Sequence, residues 1–567
     1  MVIWVIVQPH GLIILKNERR CAPDLRRKLY AMPTSATILI TGATDGLGLA
    51  LARLYHQQGA RLVLIGRRPL AELDGTFFHA DNYCQVDLAR QDCAITVSLW
   101  LHERNIKVLH LLIHNAATGY VGALADQTTE NIRQVVNVNL HAPVALTHAL
   151  LPYVEAAHGK LVFIGSVAAA RAGPTYAVYT ATKAALTSFA RHLQIELAAA
   201  HSQAKVQIIH PGAIRTNLQA KSGANLDQME WRTFPTPEAI AAQIAQAITG
   251  SQRTVTIGIV NRWLTLSSHH FPTLIDWLIG QNGRARTQGW QLGVKNLFPI
   301  KTAPRDPHPH CLITGAAAGI GKALAQSFAK AGYTITGIDN DAEQAMRTQA
   351  ELINAGGAAR FALADLGQQT DLDRMLDAIE NRPPINVLIH NAGINAIGPF
   401  ALSDLARQRA VIEVNLTAPL VLTAALLRQE QLIPGSSLAF ISSLSHFVSY
   451  PGAAVYAASK DGIAAYARSL ALALTPQQMH VLTIFPGPTR TEHARRYSPD
   501  NSREGRRMPP EQLAQQILVA VQRRRRTLIP GLGNRVFARF GHWFPHQSEQ
   551  IMRRIILDKL ALDTRSE

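Results

Sequence analysis

Short apolar runs rich in Val, Ile and Leu alternate along this chain with longer stretches whose apolar residues recur at helical spacing. Thr37 to Ile40, Arg61 to Ile65, Val108 to Ile113 and Lys160 to Ile164 are runs of the first kind. Apolar runs of this length, without strict alternation, predict parallel strands buried on both faces, and the stretches between them predict crossover helices. The expected fold class is α/β, built on a doubly wound parallel sheet.

The pattern occurs twice. Thr41-Gly42-Ala43-Thr44-Asp45-Gly46-Leu47-Gly48 returns 273 residues later as Thr314-Gly315-Ala316-Ala317-Ala318-Gly319-Ile320-Gly321. Asn115 and Asn391, Asn139 and Asn415, Ser166 and Ser443, Tyr179 and Tyr456, Lys183 and Lys460, and Thr216 and Thr491 follow at displacements of 275 to 277. A repeat of this size is a duplicated domain, not a solenoid. The expected units are residues 32–250 and 310–530, joined through 301–309, which contains three prolines. Each unit carries an extension, 251–300 and 531–567. Asn261-Arg262 through His269-His270-Phe271-Pro272 recurs as Asn534-Arg535 through His542-Trp543-Phe544-Pro545. The plain expectation is a helical flap over a substrate pocket. The alternative is an interfacial membrane contact, or a lid for a lipid-like substrate, since apolar residues there are interleaved with Arg535 and Arg539.

A formal charge of +17 on 567 residues invites a nucleic-acid reading, but the charge is concentrated at the ends. Residues 1–31 hold six Lys/Arg against two acids, and residues 501–567 hold thirteen against six. The body is only mildly basic, so no nucleic-acid partner is expected. Arg523-Arg524-Arg525-Arg526 is read as a solvated charge run, with an anionic lipid surface as the functional alternative. Cys21, Cys84, Cys93 and Cys311 lack metal-ligand spacing, so neither a disulfide framework nor a metal site is expected and a reducing, cytoplasmic compartment fits. Residues 1–31 read as a leader or as an upstream start before Met32, since their apolar stretch is too short to span a bilayer and precedes its basic residues. No membrane span is expected elsewhere.

Both glycine-rich segments directly follow an apolar run, Ile38-Leu39-Ile40 or Leu312-Ile313, and open an amphipathic stretch. Such a strand–turn–helix lets backbone N–H groups and the helix N-terminus meet a pyrophosphate, which predicts a Rossmann-type nucleotide site at Thr41, Gly42, Gly46, Leu47 and Gly48, and at Thr314, Gly315, Gly319, Ile320 and Gly321. The end of the second strand discriminates nucleotides. In the first unit it reads Gly66-Arg67-Arg68, two guanidinium groups suited to a 2′-phosphate, so NADP(H) is expected. In the second it reads Gly337-Ile338-Asp339, a carboxylate suited to a free ribose diol, so NAD(H) is expected. Asp87-Leu88 and Asp365-Leu366 fall where the adenine would lie. Asn115-Ala116-Ala117 and Asn391-Ala392-Gly393 end the fourth strands beside the cofactor.

Tyr179 and Lys183, and Tyr456 and Lys460, are spaced i, i+4 and so share a helix face. An ammonium at about 5 Å in an effective dielectric of about 20 contributes roughly 3 kcal/mol, which predicts a phenol pKa lowered by about two units. Ser166 and Ser443 stand thirteen residues upstream of their tyrosines, at the ends of Leu161 to Ile164 and Leu438 to Ile441, placed to bond the reacting oxygen.

With its Thr-Gly-x-x-x-Gly-x-Gly turns and Ser, Tyr and Lys at these spacings, the chain resembles the short-chain dehydrogenase/reductase family over most of residues 36–250 and 309–530. The resemblance implies that Tyr179 and Tyr456 are general acid/bases and that Lys183 and Lys460 also hold the nicotinamide ribose. It further implies that Asn139 and Asn415 organise a water relay to the lysine, and that Pro211-Gly212 with Thr216, and Pro486-Gly487 with Thr491, embrace the carboxamide. Ala117 departs from the family's glycine and adds a Cβ against the cofactor. The expectation is a bifunctional NAD(P)-dependent oxidoreductase acting on hydroxyl and carbonyl groups of hydrophobic small molecules. Dissimilar segments after the Pro-Gly turns, Asn217 to Phe234 and Glu492 to Arg507, imply different substrates. Two alternatives stay open: one active unit with the other a pseudo-dimer partner, as a homo-oligomer would provide, and a nucleotide-sensing regulatory protein.

Overall fold

A computed structural model describes residues 36–224, 231–286, 308–379, 383–498, 501–502 and 504–563. The leader, and the linker up to residue 307, lie outside the described residues.

The first unit is a parallel sheet of β1 (Thr37–Thr41), β2 (Arg61–Gly66), β3 (Tyr83–Gln85), β4 (Leu111–His114), β5 (Lys160–Ile164), β6 (Lys205–His210) and β7 (Thr254–Thr256), in spatial order β3-β2-β1-β4-β5-β6-β7. The second repeats it as β8 (His310–Thr314), β9 (Thr334–Asp339), β10 (Ala359–Leu363), β11 (Ile385–His390), β12 (Leu432–Ile441), β13 (His480–Ile484) and β14 (Thr527–Leu528), in order β10-β9-β8-β11-β12-β13-β14. Central strands such as β1 and β8 are wholly buried because helices cover both faces. Strand order reverses between β1 and β4, and between β8 and β11, which opens a crevice at the strands' carboxyl ends.

Two expected boundaries move. β4 starts at Leu111, not Val108, because the Leu109 N–H turns to the Tyr153 carbonyl at a helix end. The extension placed at 251–300 gives up Thr254–Thr256, which pairs with β6 as the sheet's edge strand. Helices Ile259–His270 and Pro272–Arg286 follow it, mirrored by Leu532–Trp543 and Pro545–Asp563, so both extensions are helical as expected.

The two units pack as an internal pseudo-dimer through the long helices that carry the Tyr/Lys pairs, Ala177–Ala199 and Ala454–Ala473. Small residues allow the close approach: a Cβ on Gly462 would lie 3.1 Å from the Ala185 Cβ. One continuous apolar core runs through both units. Phe400 of the second is buried against Phe189 and His148 of the first, at 5.1 and 5.6 Å between rings, a burial of about 2 kcal/mol. Reciprocal ion pairs tie each extension to the opposite unit's central helix: Asp276 to Arg468, and Glu549 to Arg191, both at 2.8 Å. The expected absence of any span-like segment meets one exception. Leu405–Arg428 is long and apolar enough to cross a membrane by length and composition, but it lies almost wholly buried within the protein.

Candidate active sites

Each glycine turn is shaped for close approach. Gly42 and Gly46 have φ of +66° and +51°, and Gly315 and Gly319 have +65° and +52°, values that disfavour any side chain. A Cβ on Gly48 would lie 2.1 Å from the Gly42 carbonyl oxygen, and one on Gly321 would lie 1.8 Å from that of Gly315. The helices start at Gly46 and Gly319, so Leu47 and Ile320 lie in first turns, whose N–H groups have no partner within the helix. Thr216 and Thr491 cross over to these turns, their methyl groups at 3.0 and 3.3 Å from a Cβ at Gly46 and Gly319.

Several residues expected at the cofactor bind the fold itself. The Thr41 hydroxyl accepts the N–H groups of Asn115 and Ala116, and the Asn115 amide donates to the carbonyls of Thr41 and Gly42. Thr314, Asn391 and Ala392 repeat every bond. These pairs staple the glycine turn to the end of the fourth strand. Asp87 and Asp365 each accept the N–H two residues on, at 2.9 Å, and hold the chain beyond Leu88 and Leu366 in a turn.

At the end of β2, Arg67 and Arg68 are exposed and Arg68 donates to the Thr44 carbonyl in the glycine turn. At the same place in the second unit, an Asp339 oxygen accepts the Ala317 N–H at 2.8 Å. Arg68 and Asp339 thus both sit against the glycine turn of their unit. One feature of the first turn was missed in the sequence. Asp45 caps the helix through the Gly46 N–H and pairs with Lys221 at 2.5 Å, bridging the turn to the loop after Thr216. The partners are 176 residues apart, so no local pattern announces them.

The residues expected to be catalytic converge in both units. Ser166 and Ser443 follow β5 and β12 and lie beside the phenols of Tyr179 and Tyr456. Lys183 and Lys460 are buried and donate to the carbonyls of Ile164 and Ile441 at 2.9 and 3.0 Å. Asn139 and Asn415 lie in π-helical turns, Asn137–His141 and Glu413–Thr417, whose extra residue redirects the side chain. Their carboxamides bond both the N–H and the carbonyl of Thr118 and of Ile394.

The expected lowering of the tyrosine pKa by its lysine does not hold. Burial dominates: it pushes Tyr179 up to about 12, against the opposing influence of the nearby Ser166, and raises Tyr456 likewise. The ammoniums lie 5.9 and 5.7 Å from the tyrosine ring centres and are engaged with strand carbonyls, and burial lowers Lys183 and Lys460 to about 8. The Ala117 expectation also shifts. A Cβ at the equivalent Gly393 would lie 3.1 Å from the Lys460 Nζ and 3.3 Å from the Asn415 Oδ1. The extra methyl therefore crowds the Lys–Asn side of the site.

The surroundings of the two tyrosines differ. Gly119 borders Tyr179, a Cβ there falling 3.3 Å from its ring, whereas the matching position in the second unit is Asn395, which lies near the Tyr450 phenol. The Tyr450 ring lies 6.0 Å from that of Tyr456, and Gly173 occupies its place in the first unit. His493 keeps an exposed edge near Lys460, and partial desolvation together with that cation lowers it to about 4. Neither Tyr450 nor His493 belongs to a repeated motif, which is why the sequence did not mark them.

The profile of the short chain dehydrogenase family matches residues 36–227 and 309–502. Dehydrogenase/reductase SDR family member 7B of Rattus norvegicus is 34% identical over 208 residues, 35% of this chain and 63% of that protein. This chain thus spans less than two thirds of the length of that relative. Its counterpart in Danio rerio is 31% identical over 265 residues, covering 43% and 82%. Among solved structures, an N-terminal ketoreductase from the macrolactin assembly line superposes with a TM-score of 0.55 at 14% identity, over 88% of each chain, a likeness of fold.

Proposed function

This chain belongs to the short-chain dehydrogenase/reductase family, in tandem, and we propose that it is a bifunctional NAD(P)-dependent oxidoreductase interconverting hydroxyl and carbonyl groups, with one working site in each unit. The observation that carries this reading is the equivalence of the two tetrads: each serine lies beside its phenol, and each lysine bonds the strand carbonyl before it. A decayed copy would have no reason to keep that geometry.

The glycine cradles, which a Cβ would fill, fit a nicotinamide nucleotide. Bound there, it supplies or accepts the hydride. Thr216 and Thr491 close over it, and the exposed Arg67 and Arg68 support NADP(H) in the first unit while Asp339 supports NAD(H) in the second. Tyr179 and Tyr456 exchange a proton with the substrate oxygen, Ser166 and Ser443 orient that oxygen, and the buried lysines, anchored on the strand carbonyls, stand beside the phenols where they would hold the nicotinamide ribose. The substrates differ. Gly119 borders Tyr179 in the first site, where the repeat places Asn395, and Tyr450 and His493 add polar groups near Tyr456 and Lys460 in the second, which supports a more polar substrate there.

The test is titration with NADPH and with NADH, followed by nucleotide fluorescence, in wild type and in Arg67→Asp and Asp339→Ala. The reading expects one NADPH site lost with Arg67→Asp and one NADH site altered by Asp339→Ala. Binding at a single site would overturn it. The extensive packing between the units supports a second reading, in which one unit serves only as pairing partner. That reading expects Tyr179→Phe or Tyr456→Phe alone to abolish all turnover.

A further inference from the structure

The two helical extensions meet each other. The rings of His269 and His542, equivalent positions 273 residues apart, stack at 4.1 Å, and His270 stacks on Trp543 at 5.3 Å. A residue that touches its own counterpart in a pseudo-twofold assembly lies beside the twofold axis. Both extensions therefore sit at one end of that axis and face the same way.

What they present is apolar at matched positions. Ile259 and Leu532 are 79% and 77% exposed, and Trp263 and Val536 are 69% and 68% exposed. Phe271 and Phe544, and Leu278 and Ile551, repeat the correspondence, with Trp277 and Trp543 adding indole rings. Isolated exposed apolar side chains are ordinary, but a patch repeated on two elements and joined across an axis is not.

The charge on this surface has one sign. Arg262, Arg535, Arg539, Arg553 and Arg554 are exposed, and among the described residues none of them is ion-paired to an acid. The acids within 259–279 and 532–557, Asp276 and Glu549, are turned inward to Arg468 and Arg191. A second copy docking here would bring five arginines against five. An anionic bilayer meets both the charge and the apolar, tryptophan-bearing face. The Arg523–Arg526 run does not contribute: it enters β14 at the amino-terminal edge of the sheet, whereas the extension leaves from the carboxyl-terminal edge.

We propose that the paired extensions form a single flat docking surface for an anionic lipid bilayer, engaged by both units at once. Helix Ile259–His270 packs on Val167–Ala170, directly after Ser166, and Ala538 of the second extension packs on Leu444 and Val448, directly after Ser443. The bilayer would thus lie beside both catalytic turns, within reach of a lipophilic substrate.

The experiment is flotation of the full chain with phosphatidylcholine vesicles, alone or with about 30 mol % phosphatidylserine, alongside light scattering without lipid. Expected are binding to the anionic vesicles, its loss in about 0.5 M salt, and a blue shift of tryptophan emission. Trp263→Ala and Trp543→Ala should each weaken partitioning at least about tenfold, and Ile259→Ser and Leu532→Ser, at the most exposed positions, should repeat the effect where a tryptophan change disturbs folding. Dependence on one extension only would overturn docking by both. Absence of vesicle binding would overturn the proposal outright, and a dimer seen by light scattering would then assign the face to a second copy.

Discussion

The carboxylate of Glu196, in the first unit's central helix, accepts the backbone N–H of Gly452 at 2.8 Å, four residues before the second unit's Tyr456. Its other oxygen accepts the Phe400 N–H at 2.9 Å, so one side chain of the first unit holds two segments beside the second unit's site. The repeat has alanine, Ala473, at the matching position, which makes this a one-way contact.

Glu196→Gln should therefore lower turnover at the Tyr456 site while sparing the Tyr179 site. Burial outweighs the backbone bonds and raises the carboxyl from its ordinary 4.5 to about 7. The folded state thus holds the proton more tightly than the unfolded one. The group's contribution to stability is full below about pH 4.5 and is lost as pH rises through about 7. Unfolding of wild type and Glu196→Gln across that window should show the wild type losing up to about 3 kcal/mol relative to the variant. A pH-independent difference would refute this.

Gly48→Ala and Gly321→Ala each force a methyl into a carbonyl oxygen at 2.1 and 1.8 Å. The turn must open, and nucleotide affinity should fall at least about tenfold in the altered unit alone. Fluorescence titration of each variant with NADPH and with NADH checks both halves of the statement.

Lys183, the lysine of the proposed first site, is held at a cost to stability. Burial lowers it from 10.5 to about 8, so the cost of its charge is full below about pH 8 and is relieved as pH rises toward 10.5. Lys183→Met should abolish turnover in the first unit and yet stabilise the protein at pH 7 by about 2 kcal/mol. That gain should shrink at pH 9.5 or so, measured by denaturant unfolding at the two pH values.

The crossed ion pairs should differ in strength. Arg468 binds Asp276 through two nitrogens and also donates to the Ala170 carbonyl, whereas Arg191, about a third exposed, makes a single bond to Glu549. Double-mutant cycles should give a coupling of about 2 kcal/mol for the first pair and below about 1 kcal/mol for the second.

Local pattern and spacing determined much of this protein before any coordinates. Buried runs such as Ile38 to Ile40 announce parallel strands because both faces must be apolar. Gly42, Gly46 and Gly48 announce a nucleotide turn because a side chain would clash there, and the i, i+4 interval joins Tyr179 to Lys183 because a helix has a fixed pitch. The repeat interval carried each of these assignments into the second unit. Tertiary structure alone decided what depends on residues distant in sequence. Burial reversed the expected direction of the tyrosine pKa, since desolvation depends on everything packed around a group. Glu196 reaching Gly452 and Asp45 reaching Lys221 join groups that no periodicity relates, and His269 meets its repeat counterpart His542 because the two units pack about a pseudo-twofold axis.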